Sequence, residues 1–175
     1  LAAKARGARH SPSKRNSFCR LHLGIPTSTS AGWVDVSVWD RTASIVSVED
    51  LKGAQAWAGL DLSSSLDLSA FVMVFPDEAG VLDVVARFWT PADTLVERAE
   101  RDFADYLEWV EQGWLRTTPG SRIDHRVIRD TLADLRTRYD IERIGFDPWH
   151  ADTLIEELKR EDGFADDQVL AIPQT

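Results

Sequence analysis

Two aspartates in this sequence each come directly after a short apolar run. Asp61 follows the run 56–60, and Asp147 follows the run 141–146. Short runs of this kind, bounded by turn residues, are typical of strands buried in a sheet. Carboxylates at the ends of adjacent strands are hard oxygen ligands of the kind that Mg²⁺ or Mn²⁺ prefers. The sequence therefore predicts Asp61 and Asp147 as catalytic residues that share a divalent-metal site.

The chemistry that such a site supports is hydrolysis of a phosphodiester bond. Two cations roughly 3.5–4 Å apart activate a water and stabilise the leaving 3′ oxygen, so no side-chain nucleophile is required. Asp67, which comes after three serines, is the candidate third metal ligand. Each acid also has a structural interpretation: Asp61 and Asp147 as turn residues at strand ends, and Asp67 as an acceptor within its own turn.

Three strands are expected around the first acid, at 56–60, 68–75 and 81–89. Short loops join them, which predicts an antiparallel meander. The second strand is continuously apolar, as expected of a strand covered on both faces. Period-2 alternation places Trp57, Gly59 and Asp61 on one face of the first strand, where a glycine would let a ligand or another backbone approach closely.

Helical patterns follow the meander. Thr90 is predicted to cap a helix that begins at Pro91 and ends at Gly113, and Asp124 to cap a second helix. The stretch 115–122 between them is interpreted as a loop. A fourth strand at 141–146, a third helix at 151–160 and the start of a fifth strand at 169–172 complete the order βββ–αα–β–α–β.

This order predicts an α/β fold with a mixed sheet flanked by helices, of the RNase H-like type and truncated at its C-terminus. In that layout the fourth strand lies beside the first, so the acids that end them converge. Converging carboxylates repel each other unless a cation neutralises them. A shared metal ion is therefore part of the prediction.

Composition limits the class of protein. The chain has 175 residues, of which 43% are apolar, enough for one ordinary core. Its single cysteine, Cys19, excludes an internal disulfide framework and fits a reducing compartment. The sequence has neither an apolar run long enough to span a bilayer nor a signal peptide. We therefore expect a cytoplasmic location without membrane association.

Charge is divided unevenly along the chain. Residues 1–30 contain six basic residues and no acidic ones, and the other 14 basic residues against all 29 acids give residues 31–175 a net charge of −15. An acidic body argues against broad nucleic-acid binding through net charge. It suits a site that gathers carboxylates around cations, and it equally suits a solvated surface. The basic segment is interpreted as a linker.

The motifs that carry the acids resemble the C-terminal nuclease half of the large terminase subunit of tailed bacteriophages. The stretch at 59–76, GLDLSSSLDLSAFVMVFP, looks like that nuclease's opening hairpin. The stretch at 109–132, WVEQGWLRTTPGSRIDHRVIRDTL, is similar to the family's W-x-x-x-G-x-L-x-x-T-P-G-x-x-I-D motif and is the specific signal. The stretch at 139–158, YDIERIGFDPWHADTLIEEL, resembles the strand and helix that bear the second acid.

The resemblance implies an enzyme, a divalent-metal-dependent endonuclease (Mg²⁺ or Mn²⁺) that cuts concatemeric double-stranded phage DNA during packaging. Its implied partners are the small terminase subunit and the portal protein, in the cytoplasm of a bacterial host whose phage or prophage encodes it. By position, Asp61 matches the first catalytic acid, Asp147 the second, and Asp67 an additional acid of some members.

The resemblance also implies a division of the chain. Residues 1–50 would form a linker and the edge of an ATPase domain, and residues 51–175 the N-terminal part of the nuclease. The family's last acid would lie outside this chain, as would the ATP-binding motor, because the sequence has no G-x-x-x-x-G-K-[ST] motif. The chain begins without Met and is expected to be a fragment, incomplete and inactive alone.

Three other interpretations stay open on the sequence. An RNase H-like resolvase or transposase would share Asp61 and Asp147 but not the TPG–ID stretch. An actin-like sugar kinase also has an acid and small residues after its first strand, but Ser63 stands where a glycine would let phosphate approach. A non-catalytic docking module would use the acidic body to contact portal or ATPase partners.

Overall fold

The computed structural model describes residues 4–5, 14–15, 18–19, 22, 36–42, 46–64, 67–149 and 151–173. The chain divides into two compact units, Leu1–Ile45 and Val46–Thr175. In the first, helix α1 spans Val36–Asp40, and the Thr42 hydroxyl donates to the carbonyl of Trp39 at 2.7 Å. The linker predicted at 1–50 lies mostly outside the described residues and stays a prediction. No helix in the described ranges is long and apolar enough to cross a membrane.

The second unit contains one mixed sheet with the strand order β4-β3-β2-β1-β5-β6. Its strands are β1 (Gln55–Asp61), β2 (Ser69–Pro76), β3 (Leu82–Pro91), β4 (Leu115–Thr118), β5 (Asp140–Phe146) and β6 (Val169–Ala171). The first three form the expected antiparallel meander, while β1 and β5, β5 and β6, and β3 and β4 pair in parallel. With the short β4 left aside, the order of the other five strands is typical of RNase H-like nucleases. The predicted fold class is confirmed.

Two helices, α4 (His125–Arg138) and α5 (Asp152–Arg160), cover one face of this sheet. Two shorter helices, α2 (Leu95–Asp102) and α3 (Tyr106–Glu111), lie in the connection between β3 and β4. In α4, Ile128, Leu132 and Leu135 recur at spacings of three and four, so they form one apolar stripe that is buried. The α5 stripe, Leu154, Ile155 and Leu158, is buried in the same core.

The other face of the sheet is open around β1 and β2. Along β2 the burial alternates: Phe71 and Met73 are buried in the core, whereas Val72 and Val74 are only half-buried. The expectation that this strand is covered on both faces is therefore wrong. The open face is the one that carries the first acid, because Leu60 points into the core and its neighbour in the strand points away.

Over the stretch where they pair, β5 contains one residue more than β1, because Gln55–Leu60 lies opposite Asp140–Phe146. Ala56 pairs with Ile141, but Trp57 pairs with Arg143, so the register shifts by one residue at Glu142. In a regular strand, Ile141 and Phe146 would point to opposite faces because they are an odd number of residues apart. Both are buried in the core on the helical side. The extra residue makes this possible.

The helix predicted from Thr90 to Gly113 is wrong at its start and in its middle. Strand β3 continues to Pro91, and Thr90 is fully buried within it. The backbone at this end of β3 pairs with β4, which lies in the stretch 115–122 that the sequence predicts as a loop. The remaining residues form two short helices, α2 and α3, and the break between them is at Phe103, which has a left-handed backbone with φ 51°.

Candidate functional site

Asp61 and Asp147 leave the sheet side by side at the carboxyl ends of parallel strands. Leu60 in β1 pairs with Phe146 in β5, and the next residue along the chain after each of them is the aspartate. Neighbouring strands lie about 5 Å apart, which sets the spacing of the two Cα atoms. The chain continues from β1 towards β2 and from β5 towards β6, so the acids lie where the connections diverge. Open α/β sheets bind ligands at such points.

Both aspartates line one depression of about 300 Å³ on the open face. Its floor is formed by Gly59 and Gly145, which pair with each other in the sheet. Ala70, Val72 and Ile172 also line it. A Cβ atom at Gly59 would meet nothing within 4 Å, whereas one at Gly145 would lie 2.5 Å from the Cδ1 atom of Ile172. The space above Gly59 is therefore free for a ligand.

The depression has two carboxylates and no basic side chain among its lining residues. Asp61 is exposed, and within the described part of the chain neither of its oxygens has a hydrogen-bond or ion-pair partner. Asp147 is half-buried, and its Oδ1 accepts a hydrogen bond from the backbone N–H of Trp149 at 3.0 Å. The alternative interpretation of Asp147 as a turn residue therefore holds for one of its two carboxylate oxygens. Two close negative charges without a basic partner suit a bound cation.

Asp67 lies apart from this pair and is not among the residues that line the depression. Its Oδ1 accepts from the N–H of Leu68 at 2.8 Å, and its own N–H donates to Ser63 Oγ at 3.2 Å. Across the residues that the structure describes, no group of three His, Cys, Asp or Glu side chains is placed to hold a metal ion. The structure brings together two of the three predicted ligands, and Asp67 as a third stays a prediction.

The segment that leaves Asp61 is fastened to the start of α4. The N–H of Ile123 donates to the carbonyl of Ser64 at 2.9 Å, and Nε2 of His125 lies 3.0 Å from the carbonyl oxygen of Ser63. The N–H of Ser63 donates to the hydroxyl of the buried Ser69 at 2.9 Å. The end of the T-P-G-x-x-I-D motif therefore holds the backbone next to the first acid.

Thr118 and Asp124 shape this motif from within. The buried Thr118 hydroxyl accepts from the N–H of Asp124 at 3.1 Å. Oδ1 of Asp124 accepts from the N–H of Arg126 at 3.0 Å, so the predicted N-cap of α4 is confirmed. Hydrogen bonds from the Arg126 side chain, and then from its backbone, lower the pKa of Asp124. The first turn of α4 is thereby anchored beside the segment that leaves β1.

A second concavity, of about 230 Å³, is lined by apolar residues: Leu68, Phe88, Trp109, Trp114 and Leu115. The strand register places Asp61, Ala70 and Phe88 in one row across β1, β2 and β3. Trp114, at 65% exposure, is the most open of the aromatic residues that line it. Its chemistry differs from that of the first depression because it has no charged group.

The family model for the terminase large subunit, endonuclease domain, matches residues 1–166. The chain belongs to this family. It is 37% identical over 153 residues to the terminase large subunit of Enterobacteria phage HK97, with 87% of this chain and 30% of that protein covered. It is 26% identical over 171 residues to protein YmfN of Escherichia coli strain K12, with 93% and 38% covered.

A crystal structure of the HK97 bacteriophage large terminase is similar to this terminase domain with a TM-score of 0.67 and 33% identity, over 99% of this chain and 35% of that one. The resemblance predicted from the motifs is confirmed. The chain spans about a third of the length of the relatives that it matches.

Sequence reasoning identified Gly59 in the terminase domain but missed Gly145 and His125. A signal for Gly145 is present, because Gly59-Leu60-Asp61 and Gly145-Phe146-Asp147 are the same Gly–apolar–Asp pattern at the end of two strands. Each glycine then lies on the same face as its aspartate, two residues away. His125 has no comparable signal, because its contact with Ser63 joins residues that are 62 positions apart.

Proposed function

We propose that this chain is the nuclease part of a DNA-packaging terminase and that it cuts concatemeric double-stranded phage DNA with the help of divalent cations. The observation that carries the proposal is the position of Asp61 and Asp147, side by side in one depression that no basic residue lines. Membership of the terminase endonuclease family supports the same reaction class.

The donor set fits Mg²⁺ or Mn²⁺. Both are hard cations, and Mg²⁺ keeps several waters while it binds one or two carboxylates and the phosphates of its substrate. Asp61 would offer both oxygens and Asp147 the one that the Trp149 N–H does not occupy. When bound, the cations activate a water and stabilise the leaving 3′ oxygen. Gly59 leaves room for a sugar–phosphate backbone to approach the acids.

The same proposal covers the rest of the packaging machine. We expect double-stranded phage DNA, the small terminase subunit and the portal protein as partners, in the cytoplasm of a bacterial host. ATP would bind only in the ATPase part of a complete large subunit. Because the described residues assemble two carboxylates and not three, we expect this chain alone to bind metal more readily than it cuts DNA.

Metal binding to this chain tests the proposal directly. Free Mn²⁺ is followed by electron paramagnetic resonance in the presence of the wild-type chain and of Asp61→Asn and Asp147→Asn. Each variant loses a directly bound charge, so affinity should fall by at least the roughly 10–100-fold that loss of an outer-shell partner costs. Asp93→Asn, an exposed acid outside the depression, is the matched control and should bind like the wild type.

Cleavage of plasmid DNA in the presence of Mn²⁺, measured with a full-length large subunit that contains this chain, tests the reaction itself. Asp61→Asn and Asp147→Asn should abolish nicking and linearisation. Full activity in either variant would refute the site assignment. Asp67→Asn separately tests the third ligand, because an unchanged metal affinity and an unchanged rate would restrict Asp67 to its hydrogen bonds with Ser63 and Leu68.

A further inference from the structure

We infer that His125 is a positioning residue for the metal-binding carboxylate of Asp61. The inference rests on the proposed function, because it assigns a role relative to the same metal site. It is carried by the contact between Nε2 of His125 and the carbonyl oxygen of Ser63, two residues after Asp61. His125 itself is not among the residues that line the depression, so its action is indirect.

The two acids are held in place by different means. The Asp147 carboxylate is fixed by the N–H of Trp149. The Asp61 carboxylate has no such partner within the described residues, so its direction depends on the backbone that carries it. On one side that backbone is fixed by the pairing of β1 with β2 and β5. On the other side it is fixed by the contacts that the residues directly after Asp61 make.

Those residues are held by burial and by hydrogen bonds. Leu62 is buried in the core, at 5% exposure. The N–H of Ser63 donates to the Ser69 hydroxyl, which lies within the hairpin of β1 and β2. The carbonyls of Ser63 and Ser64 accept from His125, the first residue of α4, and from Ile123, which lies two residues before it. Among the described contacts, His125 thus supplies one of the two links between this segment and the start of α4, and it is the one of these two that uses a side chain.

The chemistry of the contact requires a donor at position 125. The partner is a carbonyl oxygen, so Nε2 of His125 must carry the hydrogen. Both the neutral Nε2–H tautomer and the imidazolium supply it. A side chain of similar size that can donate, such as glutamine, should replace histidine here. An apolar one, such as leucine, should not.

The test compares His125→Gln and His125→Leu in this chain, with Asp130→Ala on an exposed position of α4 as the control. In metal-free protein, hydrogen–deuterium exchange at the N–H groups of Ser63 and Ile123 reports on the contacts between the segment after Asp61 and the start of α4. Mn²⁺ titration by electron paramagnetic resonance reports on the site. Thermal melting reports on the fold. For His125→Leu we expect faster exchange at both amides and Mn²⁺ affinity about three- to tenfold lower, as for one lost hydrogen bond. His125→Gln should restore both, and Asp130→Ala should change neither.

The outcomes separate the two proposals. If wild-type protein binds no Mn²⁺ and Asp61→Asn changes nothing, the proposed function fails and the positioning role fails with it. If the wild type binds Mn²⁺ and the Asp61 variant does not, but His125→Leu binds as well as the wild type, only the positioning role is overturned. The same holds if His125→Leu exchanges faster yet keeps its affinity, because the contact is then purely structural.

Discussion

Gly59 and Gly145 make the same contribution to the floor of the depression, but a methyl group added at each meets different surroundings. At Gly59 the backbone is outside the left-handed region and the new Cβ has nothing within 4 Å. Gly→Ala at such a position stabilises by about 0.4–1 kcal/mol, because the unfolded chain loses freedom. At Gly145 the new Cβ lies 2.5 Å from the Ile172 side chain, which must move. Displacing that side chain from its rotamer costs about 0.5–1.5 kcal/mol.

Gly59→Ala should therefore be more stable than the wild type, and Gly145→Ala should be about neutral or slightly less stable. The two variants should differ by about 0.5–1.5 kcal/mol. With a slope of roughly 2 kcal/mol per molar urea, the midpoints of unfolding should differ by about 0.5 M. Tryptophan fluorescence during urea unfolding measures them. Gly163→Ala is the control for strain, because φ there is +73° and the substitution should cost about 1 kcal/mol or more.

A single result would refute the reasoning about the open floor. If Gly59→Ala lost as much stability as Gly163→Ala, the space above Gly59 would have to be filled in the folded protein. The depression would then be covered, and a phosphate backbone could not approach the two acids across it.

Other substitutions test the elements that position the site. Leu132→Ala removes a fully buried side chain from α4 and should lower the free energy of urea unfolding by about 2–5 kcal/mol, so a loss below 1 kcal/mol would contradict the packing described. Thr118→Val leaves the N–H of Asp124 without its acceptor and should cost about 1–3 kcal/mol in the same assay, with Thr118→Ser less affected. Asp124→Asn keeps the cap but removes its titration. The pKa of Asp124 is lowered below its ordinary 3.8, chiefly by Arg126, so its stabilisation is present above about pH 4 and is lost as pH falls through the folded-state value. The Asn variant should show a flatter fall in melting temperature below pH 4, and an unchanged slope would exclude this contribution.

Local patterns were sufficient to predict α4 and the placement of the two strands that carry the acids. Asp124 is a strong cap, and the stripe of α4 repeats every three or four residues, so both the start and the face of that helix could be predicted. The order of elements then placed the fourth predicted strand beside the first. These features depend on residues that are close together in the sequence, so the structure adds little to them.

Features that depend on distant partners were beyond the sequence. Strand β4, Leu115–Thr118, is four residues long with two exposed residues in its middle, so it has no apolar alternation to indicate a strand. Its existence depends on pairing with β3, and that pairing in turn overrides the cap signal of Thr90 and Pro91. The sequence likewise gives no indication of the left-handed backbone at Phe103, because phenylalanine rarely adopts that conformation.

Only part of the candidate site could be predicted, because its assembly also depends on residues that are distant in the sequence. Strand ends gave Asp61 and Asp147, but only the observed register shows that Leu60 and Phe146 are partners and that the acids are neighbours. Asp67 looked equivalent to them by type and spacing. Its N–H bonds to Ser63 and its carboxylate bonds to Leu68, contacts within the turn that no spacing rule reveals.

The additional residue in β5 has a consequence for how the length of this strand can vary. Because successive side chains alternate between faces, gaining or losing one residue between Arg143 and Phe146 would turn the second carboxylate inward, under the helices. Deletion of Glu142 would instead make Ile141 and Arg143 adjacent, and these two residues already pair with the adjacent Ala56 and Trp57 of β1. A change of length at Glu142 therefore leaves Asp147 on the open face of the sheet, whereas a change one residue later turns it to the helical face.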